Sequence, residues 1–237
     1  MPGSGPIVLV GSGEFLPAMR QIDAALLAAI GRSRPRVAIV PTASWPDGEQ
    51  VFRRWATMGV EHFSTLGAEV EAVLVRDGFD ADDSAHVQAI GEADLIYLSG
   101  GKPGHLSESL VGSAVGDALL AAHARGATLA GCSAGAMALA DRHFEFRKRR
   151  MVWPLRWEDG LDLVPGALVI PHYDFFPEAL AAMFVLQAPR GLVTLGIDEE
   201  TAVVGQDGAW QVHGVGRVTV WRGRRRQRFR RGEVFRI

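Results

Sequence analysis

Cysteine is almost missing from this chain: among 237 residues there is one, Cys132. A single thiol makes no internal disulfide and no multi-cysteine zinc site. It suits a reducing compartment, so a cytoplasmic location is expected. Long apolar runs are missing too. The apolar stretch after Pro6 is short and no basic start precedes it, so neither a signal peptide nor a membrane span is expected. Charge of one sign is not in excess. Lys and Arg total 25 against 27 Asp and Glu, a formal net charge of −2, which gives no general pull toward nucleic acid or a membrane surface. Nucleotide-binding signatures are incomplete. Gly11-Ser12-Gly13-Glu14 lacks the third glycine of a dinucleotide loop, and no G-x-x-x-x-G-K-[ST] run occurs. No cofactor and no metal is expected.

What the chain does have is a repeated unit, a short apolar run followed by helical spacing. The runs are Ile7–Val10, Val37–Val40, Val70–Val75, Leu95–Leu98 and Ala127–Ala130. Most lack polar/apolar alternation, which marks strands buried on both faces of a parallel sheet. Between them Met19, Ile22, Leu26 and Ile30 recur at steps of three and four, as do Val51, Trp55 and Met58. Asp82 is expected to cap a short helix ending near Ile90, and Gly126 to close a helix over Asp117–Arg125. Five such units predict an α/β fold, a mostly parallel open sheet with helices on both faces. The last third changes character. Thr201–Gln206 and Ala209–His213 flank Asp207-Gly208, a hairpin signal, and Val218 and Val220 mark a further strand. An antiparallel C-terminal extension of the same sheet is expected, all within one domain over residues 1–237.

Ligands of an open parallel sheet bind beyond the carboxyl ends of its strands. Four such ends carry loops of small and hydroxyl residues: Gly11 to Glu14, Pro41 to Ser44, Ser99 to Lys102, and Gly131 to Gly135. Their convergence predicts a site. The last loop, Gly131-Cys132-Ser133-Ala134-Gly135, fits G-x-S-x-G between an apolar run and a helix start. A nucleophile elbow needs small flanking residues, because the turn is sharp and strained and pushes the serine hydroxyl out over the sheet edge. The Gly100-Gly101 pair is placed to offer a backbone N–H to a developing oxyanion without a Cβ in the way. A serine also needs a base. Of seven histidines, His172 follows the apolar run Leu168 to Ile170 and emerges at a strand end, while His105 follows the Gly-Gly loop.

Taken together, LSGGKPGHL (98–106), GCSAGAMAL (131–139), IPHYD (170–174) and GIDEETAVV (196–204) resemble the serine peptidases that include cyanophycinase and peptidase E, the aspartyl dipeptidase. That family is similar in fold to class I glutamine amidotransferases. The resemblance implies Ser133 as nucleophile, His172 as general base, and the Gly101 and Ala134 N–H groups as the oxyanion hole. It implies an acyl-enzyme route to hydrolysis of a small peptide or isopeptide-like amide. The family's acid usually lies shortly after the serine, where this chain reads Lys148 to Trp153 without a carboxylate. Asp174 matches the H-x-acid arrangement of amidotransferase-like relatives and is the expected third member; Glu199, Glu158 and Glu145 are alternatives. Gly100, Lys102 and Glu199 are expected to contact substrate, and Lys102 with Arg147–Arg150 offers a receptor for a carboxylate, unless these are solvated surface.

Two other readings stay open. One is a catalytically impaired relative that binds a small molecule or peptide. The other uses the arginine-rich run Arg222 to Arg231 to hold an acidic partner, against the plainer reading of a solvated hairpin. Nucleic acid is not an expected partner, and a homo-oligomer is compatible with the sequence.

Overall fold

The structure, a computed structural model, describes residues 3–144 and 154–237. Glu145 and Arg147–Arg150 lie outside the described residues.

The strands in chain order are β1 (Ile7–Val10), β2 (Arg36–Val40), β3 (Glu69–Ala72), β4 (Leu95–Leu98), β5 (Thr128–Cys132), β6 (Ala140–Phe144), β7 (Trp157–Asp159), β8 (Val164–Ile170), β9 (Val193–Ile197), β10 (Thr201–Gln206), β11 (Ala209–Gly214), β12 (Arg217–Arg222), β13 (Arg225–Arg230) and β14 (Val234–Arg236). The helices are α1 (Arg20–Ile30), α2 (Glu49–Thr65), α3 (Ser84–Glu92), α4 (Pro103–Leu110), α5 (Ala114–Ala124), α6 (Ala134–Leu139) and α7 (Glu178–Leu186).

The strands form two sheets. The larger runs β14-β11-β10-β1-β5-β4-β2-β3. Its parallel part, β1-β5-β4-β2-β3, is built from the five apolar runs, and every residue of β1, β4 and β5 is buried. That is the signature of a sheet covered on both faces. One face packs Val8, Val10, Val37, Ile39 and Tyr97 against Met19 of the turn before α1 and Phe63 of α2. The other face packs Leu9, Ile96, Leu98 and Leu129 into a core that continues to Phe144, Phe184, Leu195, Val218 and Val220. Helix α2 is amphipathic as its spacing requires, burying Phe52, Ala56, Gly59 and Phe63.

Details differ from the sequence reading by small steps. Strand β3 stops at Ala72, although Val73 and Val75 stay buried. Asp83, not Asp82, caps α3, accepting the Ala85 N–H at 2.8 Å, while Asp82 accepts the Ala114 N–H at 2.9 Å. Helix α5 starts at Ala114 because the Ser113 hydroxyl caps it through the Gly116 N–H at 3.1 Å.

The larger difference is a second sheet, ordered β13-β12-β9-β8-β6-β7. Val218 and Val220 do not extend the first sheet; they sit on β12, paired with Ile197 and Leu195 of β9. The antiparallel additions to the first sheet are β10, β11 and β14. Val218 to Trp221 of β12 are all buried, and their apolar positions mark a strand that either sheet could have taken. The arginine-rich run forms the β12–β13 hairpin, largely exposed, with Arg226 and Arg228 both paired to Glu178 of α7. Among the described residues no helix is long and apolar enough to cross a membrane.

Candidate active site

The site lies where the carboxyl ends of both sheets meet. Strand β5 of the first sheet ends at Cys132 and turns at once into α6, with Ser133 between them at φ 51°, ψ −109°. A non-glycine residue there is strained, and only a tightly determined surround holds it. The surround is backbone. A Cβ on Gly131 would lie 2.5 Å from the Gly135 carbonyl, and one on Gly135 would lie 2.2 Å from the Leu98 carbonyl. The two glycines of G-x-S-x-G are thus fixed by close approach of chain to chain.

The second sheet supplies the partners. Strand β8 ends at Ile170, and His172 follows Pro171 in the left-handed region at φ 50°. Its Nε2 lies 3.0 Å from Ser133 Oγ. Strand β9 ends at Ile197, and the turn that carries the chain across to β10 contains Glu199, whose Oε1 lies 2.7 Å from His172 Nδ1. Ser133, His172 and Glu199 therefore form one hydrogen-bonded chain. Among the described non-glycine residues six have positive φ, and four of them, Phe15, Ser133, His172 and Glu200, stand in or next to these loops. Backbone strain is gathered at this edge.

The expected third member was Asp174, and the geometry differs. The carboxylate at His172 Nδ1 belongs to Glu199, while Asp174 Oδ1 accepts the Glu199 N–H at 2.9 Å. Asp174 follows His172 by two residues inside a tight turn (Tyr173–Phe175), which carries its side chain to the neighbouring loop and not back to the imidazole. Glu158 sits on β7 opposite His143. That turn is pinned from beneath: the Tyr173 hydroxyl accepts the Trp221 indole N–H at 2.9 Å. Burial pushes the Asp198 carboxyl up, and bonding to the Arg217 N–H opposes it.

Gly101 and Ala134 line the same cavity as Ser133 and His172. Among the described residues neither N–H donates a hydrogen bond, and the Ala134 N–H is at the first turn of α6. A Cβ on Gly101, which has φ +145°, would lie 2.1 Å from the Ala43 carbonyl. Lys102 stands at the rim with its ammonium 3.6 Å from Asp47. Gly100 is behind the wall and its N–H is used, donating to Glu14 Oε1 at 2.9 Å. His105 turns away, with Nε2 2.7 Å from the Arg76 carbonyl.

Glu14 is the residue whose part sequence reading missed. It is buried, and its second oxygen accepts the Cys132 thiol at 2.8 Å. Burial first, then the Glu14 charge, pushes the Cys132 thiol well above its ordinary range, so it stays protonated as a donor. One carboxylate thus ties the loop after β4 to the residue before the elbow. The available signal was an acidic residue closing a glycine loop at a buried strand end; its partners, 86 and 118 residues away, carried none.

The sequence model of peptidase family S51 matches residues 7–213, a span that includes every residue of this site. The chain belongs to peptidase family S51. Among solved structures it is similar to a peptidase from an acI-B1 Actinobacterium, with 31% identity and a TM-score of 0.87 over 99% of this chain and 97% of that one. It is also similar to a candidate peptidase E protein from Listeria monocytogenes EGD-e, at 19% identity and a TM-score of 0.64, over 90% of this chain and 100% of that one. At that identity the second likeness bears on the fold alone. No curated protein matches. The S51 family makes this chain a peptidase of the serine type in general terms, on a mixed α/β fold shared with these neighbours.

Proposed function

We propose that this S51 chain hydrolyses a peptide or isopeptide-like amide through an acyl-enzyme on Ser133. The observation that carries the proposal is the relay of 3.0 Å from Ser133 Oγ to His172 Nε2 and 2.7 Å from His172 Nδ1 to Glu199. Ser133 Oγ bonds to the substrate carbonyl carbon as its proton passes to Nε2. The carbonyl oxygen becomes an oxyanion facing the Gly101 and Ala134 N–H groups. The C–N bond then breaks, and the amine leaves with the proton from Nε2. Water repeats the sequence: it gives a proton to Nε2, attacks the ester, and the returning proton frees Ser133. Glu199 accepts from Nδ1, fixes the tautomer, and stabilises the imidazolium. A reducing compartment such as the cytosol suits the lone, buried thiol.

The test is labelling with a fluorophosphonate followed by peptide mapping. The expected adduct is on Ser133, absent in Ser133→Ala, with amide hydrolysis lost in the same variant. Failure of Ser133 to label in the folded protein would overturn the proposal in favour of a binding protein.

A further inference from the structure

The relay says how a bond would break and nothing about which residue flanks it. The cavity beside Ser133 does. It holds about 150 Å³. Its inner wall is Met137 from the first turns of α6, Phe144 at the end of β6, Ile170 at the end of β8, and Phe176 after the His172 turn. Met137, Phe144 and Ile170 are buried. The wall is backed by rings: Phe144 packs against Trp157 at 5.2 Å and Phe184 at 5.6 Å, and Phe176 stands edge-on to Phe184 at 5.4 Å. Its shape is therefore set by the core and not by loose surface side chains.

Among the described residues that line it, the one with a permanent charge is Lys102. That ammonium is at the rim and already has Asp47 as a partner at 3.6 Å. No carboxylate is among them. A charged side chain pushed to the inner wall would lose its water and meet methyl groups and rings, which is costly. An apolar one loses nothing and gains burial. Size points the same way: a cavity of about 150 Å³ lined by aliphatic and aromatic side chains takes one benzene-sized group.

We infer that this cavity is a specificity pocket for one uncharged side chain, aromatic or branched aliphatic, on a residue flanking the scissile amide. The inference rests on the acyl-enzyme reading for its chemistry, and Met137 and Phe144 are the residues that set the preference.

The experiment has two arms on the full chain. In the first, dipeptides and amino-acid p-nitroanilides carrying Leu, Phe, Asp or Arg on either side of the bond are compared by kcat/KM. The Leu and Phe substrates are expected to exceed Asp and Arg by about tenfold or more, the scale on which apolar pockets discriminate. Met137→Ala deepens the pocket and is expected to raise the Phe-to-Leu ratio. Met137→Lys is expected to abolish the apolar preference and favour Asp, read only in protein that keeps its melting transition. Equal or better cleavage of Asp or Arg substrates, with Ser133 still labelled by the fluorophosphonate, would overturn the pocket and leave the mechanism standing. The second arm needs no chemistry. Ser133→Ala is titrated with N-acetyl-phenylalaninamide, N-acetyl-leucinamide and N-acetyl-aspartamide. Tighter binding of the first two supports the pocket even if wild-type protein cleaves nothing, and preference for the aspartyl ligand refutes it.

Discussion

The two sheets hold their halves of the site by different means. The first sheet presents Ser133 and the Gly100-Gly101 loop by backbone packing: strands buried on both faces, and turns where chain passes chain too closely for a Cβ. The second sheet presents His172 and Glu199 by side-chain hydrogen bonds, and both side chains are partly open to solvent, at 39% and 49%. Asp174 holds the Glu199 N–H, and Trp221 holds Tyr173. The Ser133 half is fixed by what cannot fit, and the His172 half by what must be bonded. The first should resist polar substitution and fail on added methyl groups; the second should do the reverse.

The largest effect tests whether the halves act as one. Ser133→Ala and His172→Ala should each lower kcat/KM by about 10⁴-fold or more, and the double variant should be no worse than either, because residues acting as a unit are not additive. Additive losses in steady-state kinetics would break the coupling across the sheets. Next comes the carboxylate. Glu199→Gln should cost about 10³-fold in kcat, by destabilising the correct tautomer. Asp174→Asn, one step removed, should cost about tenfold, the scale of one weakened hydrogen bond. The reverse ranking would return Asp174 to the imidazole.

The unequal halves also explain what the sequence revealed. Apolar runs without alternation report burial on both faces, and β1, β2, β4 and β5 are legible for that reason, whereas β3, at the sheet's edge, alternates Glu69 and Glu71 with Val70 and Ala72 and is half exposed. The elbow is legible because sterics leave few residues able to occupy Gly131, Ser133 and Gly135. His172 is legible from its place after β8. The second sheet is not. The apolar residues of β12 mark a strand without naming its partner, and Val218 to Trp221 are buried on both faces. Glu199 is among the carboxylates the sequence offers, but which of them meets His172 Nδ1 is not legible, because it is set by where two turns meet in space. Asp174 is nearer to His172 in sequence, but its turn aims it at the Glu199 backbone. Glu199 reaches the imidazole from 27 residues away, from the turn where the chain leaves β9 for β10 of the other sheet.

Glu14 sharpens the comparison most finely, because it is a polar side chain holding the half otherwise fixed by backbone. Glu14→Ala leaves the Gly100 N–H and the Cys132 thiol without their shared acceptor, which should cost about 1–3 kcal/mol of stability in denaturant unfolding. It should also lower kcat, but by less than the 10²-fold of losing an oxyanion donor outright, about fivefold, with KM little changed. Glu14→Gln keeps one acceptor oxygen, enough for the Gly100 N–H but not for the Cys132 thiol as well, and should recover part of each loss. Cys132 reports on the same contact. A buried thiol pushed well above its ordinary range is inert to iodoacetamide at pH 8 in native protein and reacts on unfolding. In Glu14→Ala the alkylation rate under native conditions should rise, since the loops around Cys132 open more often. If it does not, and kcat is also unchanged, the Gly100 loop is held by its neighbours alone, and the first sheet needs no side chain to keep its half in place.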